Sequence, residues 1–84
     1  MQKPVKLYTL STCSHCKATK KLLNDNNVQY EYVDVDLLDM LERARILEEV
    51  KQFNPRCTFP TIIIDGSTII VGYREDDIRE ALDL

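Results

Sequence analysis

Two cysteines separated by two residues stand where the first predicted strand meets the first predicted helix. The apolar segment 5–9, shortly before Cys13, is rich in the β-branched and aromatic residues typical of a strand. The segment 14–26, which contains Cys16, has apolar residues at helical spacing and ends in a cluster of Asn and Asp. This placement requires a fold in which a strand leads directly into a helix. In a short chain it is typical of a redox-active pair of thiols.

The middle of the chain predicts one more strand and one long helix. Residues 28–35 alternate apolar with polar side chains, which is typical of a strand. Residues 37–53 follow as an amphipathic helix, and Asp36 is predicted to be its N-cap. The predicted apolar face of this helix consists of Leu37, Leu41, Ala44, Leu47 and Val50. Asn54 and Pro55 predict the end of the helix.

The last third of the chain predicts a hairpin followed by a helix. The apolar segments 61–64 and 68–71 flank an Asp-Gly-Ser turn, which is a hairpin signal. Residues 75–84 form a predicted helix with acidic residues in its first turn, where negative charge is favourable. The predicted order is therefore βαβαββα. Because the first βαβ unit makes its two strands parallel and the hairpin adds antiparallel strands, this is an α/β fold with a four-stranded mixed sheet and helices on both faces.

Composition narrows the class of protein. A length of 84 residues predicts one domain, residues 1–84. The 11 basic and 14 acidic residues include no extended basic run, so nucleic acid is not an expected partner. No run of 18 apolar residues and no signal-peptide pattern is visible, so we expect the protein in the cytoplasm and not in a membrane. We also expect a monomer. An odd number of cysteines, three, argues against a structural disulfide framework and for a reducing compartment.

Four segments carry a resemblance to a known family. They are Tyr8-Thr9, Thr12-Cys13-Ser14-His15-Cys16, Thr58-Phe59-Pro60 and Val71-Gly72-Tyr73-Arg74-Glu75-Asp76-Asp77. Their order and spacing resemble those of the glutaredoxins over almost the whole chain. The resemblance implies a thioredoxin-like fold. It also implies a thiol–disulfide oxidoreductase that reduces disulfides in proteins or mixed disulfides of low-molecular-weight thiols.

The two cysteines have different predicted roles. Cys13 stands at a helix N-terminus, where backbone N–H groups and the helix dipole favour the thiolate, which is the form that attacks a disulfide. Cys16 follows one helical turn later and is predicted to be the more buried, resolving thiol. Lys17 and Lys20 are expected to lie in solvent and to favour the thiolate only slightly. We expect the cationic form of His15 to make the disulfide more oxidising.

The resemblance also implies a set of residues that bind the substrate or a small thiol. Pro60 is the expected cis-proline facing the cysteines, which leaves the backbone of Phe59 free to pair with an extended ligand. Phe59 and Tyr73 are expected to be exposed recognition residues, whereas Tyr8, Tyr30, Tyr32 and Phe53 are assigned to packing. The full predicted binding set is Thr12, Ser14, His15, Thr58, Phe59, Pro60, Gly72, Tyr73, Asp76 and Asp77.

The reductant stays open. Glutaredoxins often have a lysine three residues before the first cysteine, where this chain has Leu10, and a second glycine where it has Tyr73. The turn Gly72-Tyr73-Arg74 resembles redoxins that serve ribonucleotide reductase and take electrons from thioredoxin reductase. Glutathione, another low-molecular-weight thiol and a thioredoxin reductase are therefore all candidates. No tightly bound cofactor is expected.

One alternative function uses the same cysteines as ligands. Two thiolates can bind an iron–sulfur cluster or another metal, and Cys57 and His15 would have to complete the set in one chain. His15 lies inside the cysteine pair, which suits a single tetrahedral site poorly. Cys57 itself has two interpretations: a small apolar filler, or an auxiliary thiol on the same face as Cys13.

Overall fold

The order of the elements confirms the βαβαββα prediction. A computed structural model describes residues 3–84. Its elements are β1 (Val5–Thr9), α1 (Ser14–Asp25), β2 (Glu31–Asp34), a 3-10 helix (Val35–Leu37), α2 (Met40–Phe53), β3 (Thr61–Ile64), β4 (Thr68–Val71) and α3 (Glu75–Leu82). Within the described residues, no helix is both long and apolar enough to cross a membrane.

The four strands form one mixed sheet, as predicted. Their order is β2-β1-β3-β4, with β1 and β2 parallel and the other two pairs antiparallel. The register places Thr9 opposite Asp34, Tyr8 opposite Thr61, and Thr61 opposite Val71. The C-terminal ends of β1, β2 and β4 therefore share one edge with the start of β3. The segments 10–13, 58–60 and 72–74 all adjoin this edge.

Two apolar clusters cover the two faces of the sheet. The first combines residues of β1, β3 and β4 with residues of α1 and α3: Val5, Leu7, Leu22, Leu23, Ile62, Ile64, Ile70 and Ile78. The second combines β1 and β3 with α2 and the 3-10 helix: Tyr8, Val35, Ile46, Val50 and Ile63. Successive residues of β3 alternate between the clusters because side chains alternate across a strand. Helices therefore lie on both faces, in a thioredoxin-like architecture.

The start of α2 differs from the prediction. The helix begins at Met40, and its N-cap is Asp39, whose carboxylate accepts a hydrogen bond from the Glu42 N–H at 2.9 Å. The prediction of Asp36 as the cap is wrong, because that carboxylate binds Ser11 in another part of the chain. The second strand is likewise shorter than predicted, Glu31–Asp34.

The predicted apolar face of α2 is correct only toward its C-terminal end. Val50 is fully buried and Leu47 is partly buried against the second cluster. Leu37 and Leu41 are 71% and 84% exposed, and Ala44 is exposed as well. The reason is tertiary: every residue from Asp39 to Arg45 is exposed, so no element among residues 3–84 buries the first turns of α2.

Candidate active site

Cys13 and Cys16 occupy the junction between β1 and α1. Cys13 has extended backbone geometry and is the N-cap of α1, and its Sγ accepts a hydrogen bond from the Cys16 N–H at 3.3 Å. The Cys13 N–H donates to the Leu10 carbonyl at 3.2 Å, which closes the turn between strand and helix. Cys13 is half-buried and Cys16 is fully buried. An incoming disulfide therefore meets Cys13 first.

The chemical environment of Cys16 keeps it protonated. Burial, followed by the hydrogen bond with the Cys13 side chain, raises the pKa of the Cys16 thiol to about 12. The backbone of Leu10 and the charge of Lys20 act in the opposite direction and lower this pKa. A group with so high a pKa is a poor nucleophile at neutral pH, because the thiolate is the reactive form.

The carboxylate of Asp36, which the sequence predicted to cap α2, instead holds the loop before Cys13 in place. Asp36 accepts hydrogen bonds from the Ser11 N–H at 2.9 Å and from the Ser11 hydroxyl at 2.5 Å. These hydrogen bonds lower the pKa of Asp36, so the carboxylate is ionised at neutral pH. Asp36 therefore fixes the path of the chain two residues before Cys13.

Lys20 does not lie free in solvent, so that expectation is wrong. Its ammonium nitrogen is 3.0 Å from Oδ1 of Asp34 and 4.1 Å from the centre of the Tyr32 ring. The Thr9 hydroxyl donates to the same carboxylate oxygen at 2.6 Å. Tyr32 is 53% exposed and thus lies outside the predicted core, because β2 is an edge strand. Lys17, in contrast, is exposed as expected.

A buried asparagine positions the Thr58-Phe59-Pro60 segment. The Phe59-Pro60 peptide bond is cis, which confirms the predicted isomer. The Asn54 amide nitrogen donates to the Thr58 carbonyl at 3.0 Å, to the Thr58 hydroxyl at 3.1 Å and to the Thr61 hydroxyl at 3.0 Å. Sequence reasoning treated Asn54 only as a helix terminator. Its role depends on a loop that returns to it, and no local pattern indicates that.

The segment after β4 joins the same edge of the sheet. The Gly72 N–H donates to the Pro60 carbonyl at 2.9 Å, and Gly72 has a φ of +90°, a conformation that L side chains rarely adopt. Tyr73 and Phe59 are both half-buried against the core clusters, so neither side chain is as exposed as the sequence predicted. Asp77 pairs with Arg74 at 3.5 Å.

The predicted site residues not yet described differ in exposure. Thr12, Ser14, His15, Thr58 and Asp76 are exposed. Cys57 is half-buried, has a φ of +53° and packs against the second cluster, as the filler interpretation predicts. Among residues 3–84, no three or more His, Cys, Asp or Glu side chains are grouped so that they could hold a metal ion. Cys57 and His15 thus do not complete a metal site with the cysteine pair in one chain.

Comparison with known proteins supports this assignment of the fold. A family model described as Glutaredoxin matches residues 5–69. An uncharacterized glutaredoxin-like 8.6 kDa protein in the rubredoxin operon of Clostridium pasteurianum is 36% identical over 79 residues, which cover 94% of this chain and 97% of that protein.

Two solved structures are also similar over nearly the whole chain. Methanoredoxin from Methanosarcina acetivorans superposes with a TM-score of 0.94 at 47% identity, covering 99% of this chain and 87% of that one. A glutaredoxin from Methanosarcina mazei Go1 superposes with a TM-score of 0.86 at 46% identity, covering 100% of this chain and 84% of that one. With a Cys13/Cys16 pair at the junction of strand and helix in a thioredoxin-like fold, this chain belongs to the glutaredoxin family.

Proposed function

We propose that this protein is a thiol–disulfide oxidoreductase that reduces protein disulfides or mixed disulfides of small thiols through Cys13 and Cys16. The observation that carries the proposal is the contrast between the two thiols. Cys13 is accessible and accepts a backbone hydrogen bond at the N-terminus of α1, whereas Cys16 is buried and has a raised pKa. Two thiols of opposite character in one helical turn fit a nucleophile and a resolving group.

Cys13 performs the first step. Its thiolate sulfur bonds to one sulfur of the substrate disulfide, the substrate S–S bond breaks, and the other sulfur leaves as a thiolate that takes a proton from solvent. The backbone N–H of Cys16 lies 3.3 Å from the attacking sulfur and stabilises its negative charge. The Thr58-Phe59-Pro60 segment, on the same edge of the sheet, supplies backbone groups for an extended substrate.

Cys16 performs the second step. It loses its proton and bonds to the Cys13 sulfur, the bond between Cys13 and the substrate breaks, and the second substrate sulfur leaves and is protonated. Two electrons have then passed from the cysteines to the substrate, and the Cys13–Cys16 disulfide remains. An external dithiol, or two monothiols, must reduce it. We place the reaction in a reducing compartment such as the cytoplasm, because an odd number of cysteines does not suit a structural disulfide framework.

The reductant is proposed as a class, not as one molecule. Leu10 stands at the position where many glutaredoxins have a lysine. It packs against the second core cluster and offers no positive charge to a carboxylate of glutathione. A low-molecular-weight thiol other than glutathione, or a thioredoxin reductase, therefore fits this site at least as well as glutathione. The discriminating assay compares turnover driven by glutathione with glutathione reductase against turnover driven by thioredoxin reductase with NADPH.

A single-turnover experiment tests the chemistry without any reductase. The pre-reduced protein is mixed with bis(2-hydroxyethyl) disulfide, and the reaction is stopped with a maleimide, which labels the remaining free thiols. The mass of the labelled protein, measured by mass spectrometry, gives the number of free thiols. We expect the wild type to lose two thiols and Cys13→Ser to lose none, whereas Cys16→Ser should stop as a mixed disulfide on Cys13. Cys57→Ser is the matched control and should react like the wild type. A Cys13→Ser protein that consumes the substrate as fast as the wild type would contradict the proposal.

A further inference from the structure

The first turns of α2 expose an apolar surface that the fold leaves uncovered. Leu37, Met40 and Leu41 are 71%, 81% and 84% exposed, which makes them the most exposed large hydrophobic side chains among residues 3–84. They lie within five residues of one another at the end of the 3-10 helix and the start of α2. We name these three residues the α2 apolar patch. Large apolar side chains that cluster in solvent mark interaction surfaces more often than isolated ones do.

The α2 apolar patch is held in a fixed position beside the loop that carries Cys13. The Arg43 guanidinium donates to the Asp36 carbonyl at 3.2 Å and to the Leu38 carbonyl at 3.0 Å, which ties α2 to the 3-10 helix. The Asp36 side chain in turn binds Ser11, two residues before Cys13. Leu37 directly follows Asp36, so the patch begins one residue from the carboxylate that binds the loop before Cys13.

The size of the patch indicates a transient partner rather than a second copy of this chain. Three side chains this exposed present on the order of 400 Å² of surface. A stable protein interface buries about 800 Å² on each partner, whereas redox encounters fall at the low end of interface sizes. A surface of this size suits a short-lived complex, in which the partner dissociates after electron transfer.

We propose that the α2 apolar patch docks protein substrates in which an exposed apolar surface lies beside the disulfide. The proposal rests on the oxidoreductase function given above and adds the substrate class to it. The bonds formed and broken are the same, and the patch contributes only binding. It should therefore increase the rate with proteins of this kind and leave the rate with small disulfides, which are too short to reach it, nearly unchanged.

The test compares two disulfides in the single-turnover assay. The protein probe is insulin, whose disulfides are surrounded by apolar surface, and the small probe is bis(2-hydroxyethyl) disulfide. The variant is the triple substitution Leu37→Ser, Met40→Ser and Leu41→Ser. Ile69→Thr, a 40% exposed residue on the opposite edge strand β4, is the matched control. We expect the triple variant to react about fivefold or more slowly with insulin and less than twofold more slowly with the small disulfide.

Each other outcome overturns the inference in a recognisable way. Equal losses with both disulfides would mean that the substitutions disturb the Cys13 loop, and equal rates with insulin would mean that the patch binds nothing. A wild-type dimer in sedimentation that the triple variant dissociates would assign the patch to self-association. A wild type that oxidises with neither probe would instead refute the proposed function itself. Thermal unfolding of the triple variant provides the folding control.

Discussion

The ammonium group of Lys20 lies 3.0 Å from the carboxylate of Asp34. Lys20 stands on α1, one helical turn after Cys16. Residues four apart on a helix are neighbours on one face, so this fixed cation lies close to the buried thiol and lowers its pKa. Its two anchors, Asp34 and the Tyr32 ring, both come from β2. Strand β2, which pairs with β1, thus controls the position of a charge that lowers the pKa of Cys16.

Lys20→Gln should slow the second chemical step. Loss of the positive charge raises the pKa of Cys16, and each additional unit lowers the thiolate fraction tenfold while nucleophilicity rises only about threefold, so the net loss is about threefold per unit. The measurement uses Ellman's reagent in a Cys57→Ser background, where the first release of the coloured thiol reports Cys13 and the second reports Cys16. Only the second release should slow.

Lys21→Gln is the matched control for Lys20→Gln. Lys21 is the adjacent lysine on α1 and pairs with Asp25 at 2.6 Å in an exposed position. Both releases should keep their wild-type rates in this variant. If Lys20→Gln and Lys21→Gln have the same effect, the charge of Lys20 acts only through general electrostatics and not through its fixed position.

Alkaline pH should destabilise the protein through Cys16. The folded-state pKa is raised from 9.0 to about 12, so between these values the unfolded chain releases the proton while the folded chain keeps it. The stability is therefore complete below pH 9 and is lost as the pH rises. Linkage gives a loss of about 2 kcal/mol between pH 9 and pH 11 from this group.

The pH effect can be isolated with a Cys16→Ala variant. The free energy of unfolding is measured in urea at several pH values for both proteins. The variant should lack the Cys16 part of the slope, so the wild type should lose about 2 kcal/mol more than the variant between pH 9 and pH 11. Parallel curves would show that Cys16 ionises equally easily in the folded state. Tyr8, whose pKa burial raises to about 12, acts in the same direction in both proteins.

Asn54→Ala should lower both the free energy of unfolding and the rate of reaction with a disulfide substrate. The substitution leaves the Thr58 carbonyl and the Thr61 hydroxyl without the amide that bonds them, and Asn54 is buried. Loss of these buried hydrogen bonds costs about 2–3 kcal/mol in the free energy of unfolding. Because the segment before Pro60 is also released, the first release from Ellman's reagent should slow more than the second. Asn24→Ala, an exposed amide on α1, should change neither quantity by much.

Asp36→Ala should release the loop before Cys13. The Ser11 N–H loses its acceptor, so its hydrogen exchange should become at least about tenfold faster. Because the pKa of Asp36 is lowered in the folded state, the wild-type bond is complete at neutral pH and weakens only as the pH falls through that lowered value. Asp39→Ala removes the N-cap of α2 and should leave the exchange of Ser11 unchanged. Equal protection of Ser11 in Asp36→Ala would show that other contacts hold the loop.

The sequence by itself determined the order of the elements and the position of the two thiols. Periodicity along the chain, the Asp-Gly-Ser turn and the placement of Cys13 before a helix are local signals, and local backbone and side-chain preferences largely decide them. The resemblance to glutaredoxins added the motif around Pro60, and the cis peptide bond confirms that part of it.

Tertiary structure alone decided which groups tune and frame the site. The ion pair between Lys20 and Asp34 requires β1 and β2 to be parallel neighbours. The hydrogen bond from Ser11 to Asp36 joins the segments that follow these two strands. The first contact joins residues 14 positions apart and the second joins residues 25 positions apart. Local sequence patterns therefore do not predict either contact. Likewise, periodicity indicates that Leu41 belongs to an apolar face, but only the packed fold leaves that face in solvent. Helical spacing determines which side chains share a surface, and the neighbouring elements determine whether that surface is buried.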